Sequence, residues 1–93
     1  MYVRMVIGEA ISDDHVRELV KIANEDLMIA GHNGFQGSQT LQEEGGRMVV
    51  ILTSWSTREE CIAYHCSRAY RQLVAKTQHL LAGDFVVKLF RID

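Results

Sequence analysis

The chain has 93 residues, of which 47% are apolar, and its ten basic against twelve acidic side chains give a formal net charge of -2. This length predicts a single small domain over residues 1–93, and a balanced charge without a basic tract argues against a nucleic-acid binder. No apolar run reaches membrane-spanning length and the first residues do not resemble a signal peptide, so we expect a soluble, cytoplasmic protein without a membrane partner.

The first two predicted elements are a strand and a helix. Residues Tyr2–Glu9 alternate as a strand does, with one face wholly apolar and the other mostly so. Ser12 is a helix cap, and Gly31 is expected to stop the helix. The predicted apolar face of this helix comprises Val16, Leu19, Val20, Ala23, Leu27 and Ala30.

Two further strands are predicted in the middle of the chain. The segment Phe35–Glu43 alternates but is unusually polar, which is typical of an edge strand or of a strand that lines a wet space. Gly45 and Gly46 then supply the positive φ angles that a tight hairpin turn needs. The next apolar run, from Met48, ends at Trp55 and predicts a buried strand that pairs antiparallel with the polar one.

A long amphipathic helix and a last strand complete the prediction. Thr57 and Glu60 form a capping box at the start of a helix over Arg58–Leu81, in which Ser67 marks a candidate kink. Gly83 ends this helix, and Phe85–Ile92 alternates as a strand. The predicted buried face of the helix comprises Ile62, Cys66, Ala69, Tyr70, Leu73, Val74, Thr77, Leu80 and Leu81.

The order β-α-β-β-α-β predicts an α+β fold of the ferredoxin-like type, a four-stranded antiparallel sheet with two helices on one face. Strands one, three and four are apolar on both sides, whereas a sheet with one face in water would alternate apolar with polar residues. The most economical cover for the second face is the same face of a second copy. We therefore expect a homodimer.

The chain also resembles a known family. Val49–Trp55, a short turn and an acidic helix start, followed by Tyr64-His65 and then Ala69–Val74, are similar to a strand, tryptophan and second helix of the antibiotic biosynthesis monooxygenases. Leu81–Val87 resembles the return to the last strand in that family. The resemblance covers nearly the whole chain and implies a ferredoxin-like protomer that dimerises through its sheets into an α+β barrel.

The resemblance implies a cofactor-independent monooxygenase that acts on a small aromatic or quinol substrate. Haem-degrading relatives would carry an asparagine in the first strand and an axial histidine where this chain has Val74, so haem degradation is disfavoured. Relatives that oxidise polyketide phenols place an asparagine and a tyrosine where Ile51 and Cys61 stand here. The alternative is a non-catalytic dimeric protein that binds a small hydrophobic ligand or acts in stress or regulation.

Trp55 and His65 are the leading candidates for catalytic residues. The Trp55 indole can stack on a flat substrate at a pocket rim or simply fill the core. His65 can accept a phenolic proton or lie on the helix surface. We expect an enclosed pocket between sheet and helices, lined by Trp55, with His65 at or near its rim.

The remaining candidates would bind substrate. Tyr70 lies on the buried helix face, Tyr64 lies on the outer side unless the helix kinks near Ser67, and Gln39 would line a polar wall of the pocket. Arg47, Arg68 and Lys88 can orient an anionic substrate, although solvated surface charge is the default interpretation. The remaining histidines lie on separate elements without a nearby carboxylate pattern, so no metal site is expected.

Overall fold

The computed structural model describes residues 1–26 and 28–93, so the predicted core residue Leu27 lies outside the described residues. The order of elements is the predicted β-α-β-β-α-β, with the second helix divided in two. The strands are β1 (Tyr2–Glu9), β2 (Phe35–Gln42), β3 (Met48–Trp55) and β4 (Val86–Arg91), and the helices are α1 (Asp13–Asn24), α2 (Arg58–His65) and α3 (Arg68–Thr77). Short 3₁₀ turns cover Met28–Gly31 and Gln78–Leu80.

The sheet is antiparallel throughout, with the strand order β2-β3-β1-β4. The polar strand β2 is an edge strand, as its pattern predicts, and Gly45, with a φ angle of 74°, lies in the turn that joins β2 to β3. Alternate residues of β1 and β3 are buried, which places the helices on one face. The fold is therefore the ferredoxin-like α+β fold that the sequence predicts.

Helix α1 begins as predicted but ends early. Ser12 accepts a hydrogen bond from the backbone N–H of His15, and two aspartates occupy the first turn. The helix stops at Asn24, before the Gly31 that was expected to end it. The polar segment Asn24–Asp26 explains the difference, because Asn and Asp are weak helix formers and acidic side chains oppose the negative end of the helix dipole.

The predicted long helix breaks between α2 and α3. Helix α2 ends at His65 with Cys66 as its C-cap, and Ser67 caps α3, since its Oγ accepts a hydrogen bond from the N–H of Tyr70 over 3.2 Å. The break shifts the helical phase, so Tyr64 becomes buried in α2 while Tyr70 stays buried in α3. The prediction that Ile62 and Cys66 are buried was wrong for the same reason, because both are exposed.

The second face of the sheet carries apolar side chains that the described residues leave uncovered. Its strands present Val3, Met5, Ile7, Val50, Leu52, Val86 and Phe90, all partly or largely exposed. The opposite face packs under the helices and holds the core. Within the described residues, no helix is long and apolar enough to cross a membrane.

Candidate functional site

Arg4 lies at the centre of the candidate site. The alternation of β1 points Tyr2, Arg4 and Val6 toward the helices, and Arg4 is only 2% exposed. Removing a guanidinium from water costs several kcal/mol, so a buried arginine requires compensating contacts. The positive charge of Arg4 therefore lies between the sheet and the helices.

Two tyrosines and a histidine provide those contacts. The Cζ atom of Arg4 lies 4.1 Å from the ring centroid of Tyr70 and 5.3 Å from that of Tyr64, both within the range of cation–π attraction. Nη2 of Arg4 lies 2.9 Å from Nδ1 of His65. The Nε atom of Arg4 is buried and has no hydrogen-bond partner among the described residues.

The Arg4 contact decides which nitrogen of His65 is protonated. A guanidinium has donors and no acceptor, so Nδ1 of His65 must accept this hydrogen bond, and the neutral ring carries its proton on Nε2. The same ring lies 5.2 Å from the Tyr70 ring at an angle of 30°. Neutral His65 therefore presents a donor, Nε2–H, while its only lone pair is occupied by Arg4.

The helix break at Ser67 assembles this group. His65 ends α2 and Tyr70 lies in the first turn of α3, so the change of direction between the two helices brings both rings to Arg4. In a continuous helix, Tyr64 and Tyr70 would be separated by about 120° around the axis, since six residues turn by about 600°. The break lets both tyrosine rings face the same guanidinium.

A cavity of about 220 Å³ adjoins Arg4 at the β4 edge of the sheet. Its walls come from α2 and from β1 and β4, and its lining residues are Arg4, Cys61, Ile62, His65, Val87 and Leu89. Ile62 and Leu89 are each 38% exposed. The cavity is thus largely apolar, with a guanidinium and an imidazole as its polar groups, which is the usual composition of a small-molecule site.

The burial of this site shifts three pKa values. Burial, and then the positive charge of Arg4, lower the pKa of His65 from its ordinary 6.5. Burial raises the pKa of the Cys61 thiol, an effect that Arg4 opposes. Burial, together with Asp26 and Tyr70, raises the pKa of Tyr64 to about 12, again opposed by Arg4. At neutral pH the imidazole, the thiol and the phenol are therefore all predominantly uncharged, and Arg4 supplies the positive charge.

Trp55 does not line this cavity. It is 0% exposed, its ring stacks on Tyr64 at 5.2 Å and 27°, and its Nε1–H donates to Oγ1 of Thr53 over 2.9 Å. Phe35 packs against it at a centroid distance of 5.6 Å. The expectation that Trp55 borders an enclosed pocket was wrong, because its faces are occupied by core side chains.

Gln39 lies away from the cavity as well. It pairs with Leu52 across β2 and β3, in the row of side chains on the open face of the sheet. It lines a separate pocket of about 340 Å³ there with Val3 and Ser54. Period-two alternation holds in β2 from Gly37 onward, but a register shift between Phe35 and Gly37 places Phe35 on the helix side, whereas the predicted alternation puts it on the same side as Gln39. The side of the sheet on which Gln39 lies was not predicted correctly either.

Sequence reasoning missed Arg4 as a site residue and considered only Arg47, Arg68 and Lys88. Of these, Arg47 forms an exposed ion pair with Asp13 at 3.3 Å, and Lys88 pairs with Met5 in a row on the open face. Arg4 is a charged residue in the otherwise apolar segment Tyr2–Ile7, which made it conspicuous, but the sequence did not show that its face of the strand lies under the helices. The described residues contain no group of three potential metal ligands.

The fold matches several solved structures. A monooxygenase from Streptomyces coelicolor in complex with nanaomycin D aligns at a TM-score of 0.87 and 16% identity, over 99% of this chain and 87% of that one. A protein from Deinococcus radiodurans that is provisionally assigned as an antibiotic biosynthesis monooxygenase aligns at 0.83 and 13%, over 100% and 93%. A protein of unknown function from Nitrosomonas europaea aligns at 0.80 and 15%, over 98% and 87%.

The likeness is one of fold. No family model matches this chain, and neither does any curated protein. The chain therefore has the fold of the antibiotic biosynthesis monooxygenases, as its sequence resemblance implies, and this fold occurs both with a monooxygenase and with a protein of unknown function.

Proposed function

We propose that the chain is a small monooxygenase of the antibiotic biosynthesis type that binds an aromatic or quinol substrate beside Arg4 and His65. The observation that carries the proposal is the cavity itself, where a buried guanidinium and an imidazole meet apolar walls. A protein of the same fold has been solved in complex with a small molecule, nanaomycin D, which supports binding of this kind.

We infer a different role for His65 from the one expected from the sequence. As long as Arg4 occupies Nδ1, His65 cannot accept a phenolic proton there, but its Nε2–H can donate to a substrate oxygen. Arg4 would stabilise the negative charge that develops on that oxygen as the proton leaves to water. Both residues then favour the same ionised substrate.

An ionised phenol or quinol is the species that can pass an electron to O₂. One oxygen atom of O₂ would replace hydrogen at a ring carbon, where C–H becomes C=O, and the other would leave as water. The substrate is oxidised to a quinone and supplies all four electrons, so the proposed oxygenation requires no flavin, haem or metal. The apolar residues Ile62, Val87 and Leu89 would contact the ring and keep water from it. Trp55 and Tyr64 support the site from the core, and Tyr70 holds the guanidinium.

We propose in addition that two copies pair through the open faces of their sheets. The uncovered apolar side chains on β1, β3 and β4 support this, because a face of that composition is unfavourable in water. The helix-side cavity lies on the other face and stays accessible in such a dimer.

A non-catalytic ligand-binding function is the second candidate. The specific observation that favours it is the occupied lone pair of His65, which leaves the cavity without a free imidazole base. A protein of this kind would bind the same aromatic molecules without turnover.

Oxygen uptake separates the two candidates. The purified protein is mixed with a panel of phenols and quinols in the presence of a metal chelator, and O₂ is followed with an electrode. The proposal predicts uptake with at least one substrate, lost in Arg4→Met and kept in Gln39→Ala, which alters a side chain outside the cavity. Binding of panel members without any uptake would favour the ligand-binding function.

A further inference from the structure

We infer that the cavity beside Arg4 selects single-ring aromatic molecules that carry an oxyanion, a carboxylate or a phenolate. The inference rests on the cavity of the proposed function and names its substrate class. It does not depend on turnover, because charge selectivity can be measured by binding alone.

The guanidinium of Arg4 is incompletely hydrogen-bonded among the described residues. Buried charged groups in proteins are normally paired or fully hydrogen-bonded, and exceptions require an explanation. The two tyrosine rings contact the guanidinium by cation–π attraction, and its Nη2 donates a hydrogen bond to Nδ1 of His65. Nε is enclosed and has no partner among the described residues, so the charge of Arg4 is incompletely compensated there, and an oxyanion in the adjoining cavity would offset it.

Arg4 is the only lining residue of the cavity, among those described, that carries a charge at neutral pH. None of the described residues that line the cavity carries a carboxylate. His65 contributes a donor, since Nδ1 is occupied and Nε2 carries the proton. The Cys61 thiol and the three aliphatic side chains add no charge at neutral pH. Arg4 therefore gives the cavity a net positive character that favours an anion over a neutral molecule of the same shape.

The volume of the cavity indicates the size of ligand that it covers. A cavity of roughly 150 Å³ accepts benzene, and pockets for drug-sized ligands start at about 300 Å³. The cavity here, at about 220 Å³, lies between the two. The cavity is open to solvent on one side, so this volume measures the part of a ligand that it covers, which corresponds to one ring with a small substituent. The aliphatic residues Ile62, Val87 and Leu89 provide the walls that such a ring would contact.

The test compares ligands that differ in charge and hardly in shape. Benzoate and benzamide are titrated into the full chain by calorimetry, and para-nitrophenol is titrated above and below its own pKa. We expect benzoate, the ionised nitrophenol, or both to bind at least about tenfold more tightly than the neutral counterpart, as a charge-assisted hydrogen bond implies. A preference for benzoate over benzamide identifies the oxyanion as a carboxylate, and a preference for ionised over neutral para-nitrophenol identifies it as a phenolate. Equal affinity for the charged and neutral forms in both arms would overturn the inference.

Two variants link the preference to Arg4. Arg4→Met should remove it, and Arg4→Lys should keep part of it, because a lysine retains the charge without the planar fork. An Arg4→Met protein that folds and still prefers benzoate would overturn the assignment to Arg4. Where Arg4→Met fails to fold, the wild-type comparison of benzoate with benzamide still decides the charge preference, and Arg4→Lys decides the residue.

This outcome is independent of oxygenation. Charge-selective binding without oxygen uptake would leave the inference standing and overturn the proposed enzyme. Oxygen uptake with substrates whose neutral and ionised forms bind equally well would leave the proposed enzyme standing and overturn the inference.

Discussion

Arg4 and His65 are 61 positions apart in the chain and are joined by a hydrogen bond of 2.9 Å from Nη2 to Nδ1. This bond connects an inner strand of the sheet to the last residue of α2, and it sets the tautomer of His65, whose side chain lines the cavity. The pair therefore contributes to the fold and to the chemistry of the site at once.

Protonation of His65 should weaken the fold. Its pKa is lowered below 6.5 by burial and by Arg4, so the unfolded chain takes up the proton first as pH falls. The stability that neutral His65 contributes is complete above pH 6.5 and is lost as pH falls from there through the folded pKa. Urea denaturation at several pH values measures this loss.

The variant His65→Gln is the control, because a glutamine oxygen can accept a hydrogen bond from Arg4 but does not titrate. The other histidines are common to both proteins, so their contribution cancels in the difference between the two profiles. A loss of stability below pH 6.5 that is equal in wild type and His65→Gln would show that His65 is not responsible.

Trp55 should matter for stability and not for binding. Trp55→Ala removes a fully buried ring and should cost about 3–5 kcal/mol of unfolding free energy. Trp55→Phe keeps an aromatic ring and loses only the hydrogen bond to Thr53 and part of the ring, so it should lower the unfolding free energy by less than Trp55→Ala does. It should leave the affinity for benzoate unchanged. Denaturation and titration of the two variants test this, and a stable Trp55→Phe with weakened binding would place the indole in the site after all.

The two helix caps should differ in their effect on binding. Thr57→Ala and Ser67→Ala each remove an N-cap hydrogen bond and should each cost about 1 kcal/mol. Only Ser67 holds the break that brings Tyr70 and His65 to Arg4, so only Ser67→Ala should also weaken benzoate binding. Equal binding by the two variants would argue against a role of the break in the site.

The open sheet face should hold a second copy. Val50→Asp introduces a carboxylate on that face, where burial in an interface without a partner costs several kcal/mol. Sedimentation should show a dimer for wild type and a folded monomer for Val50→Asp, with the exposed helical variant Ala75→Asp as the dimeric control. The interface should bury well over ~1,600 Å² in total, and a wild-type monomer at micromolar concentration would contradict the proposal.

The elements that depend on local patterns could be predicted from the sequence. The four strands, the cap at Ser12, the hairpin glycine Gly45 and the ferredoxin-like order all follow from alternation, capping and turn chemistry. Ser67 was identified as a candidate kink, and Tyr64 was expected to turn inward only if that kink existed. The structure shows both.

The site could be predicted only in part, because it depends on long-range packing. Whether Gln39 faces the helices or the open side is decided by which face of the sheet they cover, and a one-residue shift reverses it. Trp55 was placed at a pocket rim because its indole can stack on a flat substrate, whereas in the structure the indole stacks on Tyr64 within the core. Arg4 was visible as a charge in an apolar strand, but neither the face on which it lies nor its partners in α2 and α3, more than 50 positions away, could be read from the sequence.

The central proposal is that the cavity beside Arg4 and His65 is the site of oxygenation. It is tested most directly by incubating the protein with isotopically labelled O₂ and the best substrate of the panel, and by analysing the product by mass spectrometry. The comparison is with Ile62→Trp, which fills the cavity mouth, and with Gln39→Ala on the other face of the sheet. We predict that wild type and Gln39→Ala incorporate the label and that Ile62→Trp does not. Equal incorporation by Ile62→Trp, or none by wild type, would contradict the proposal.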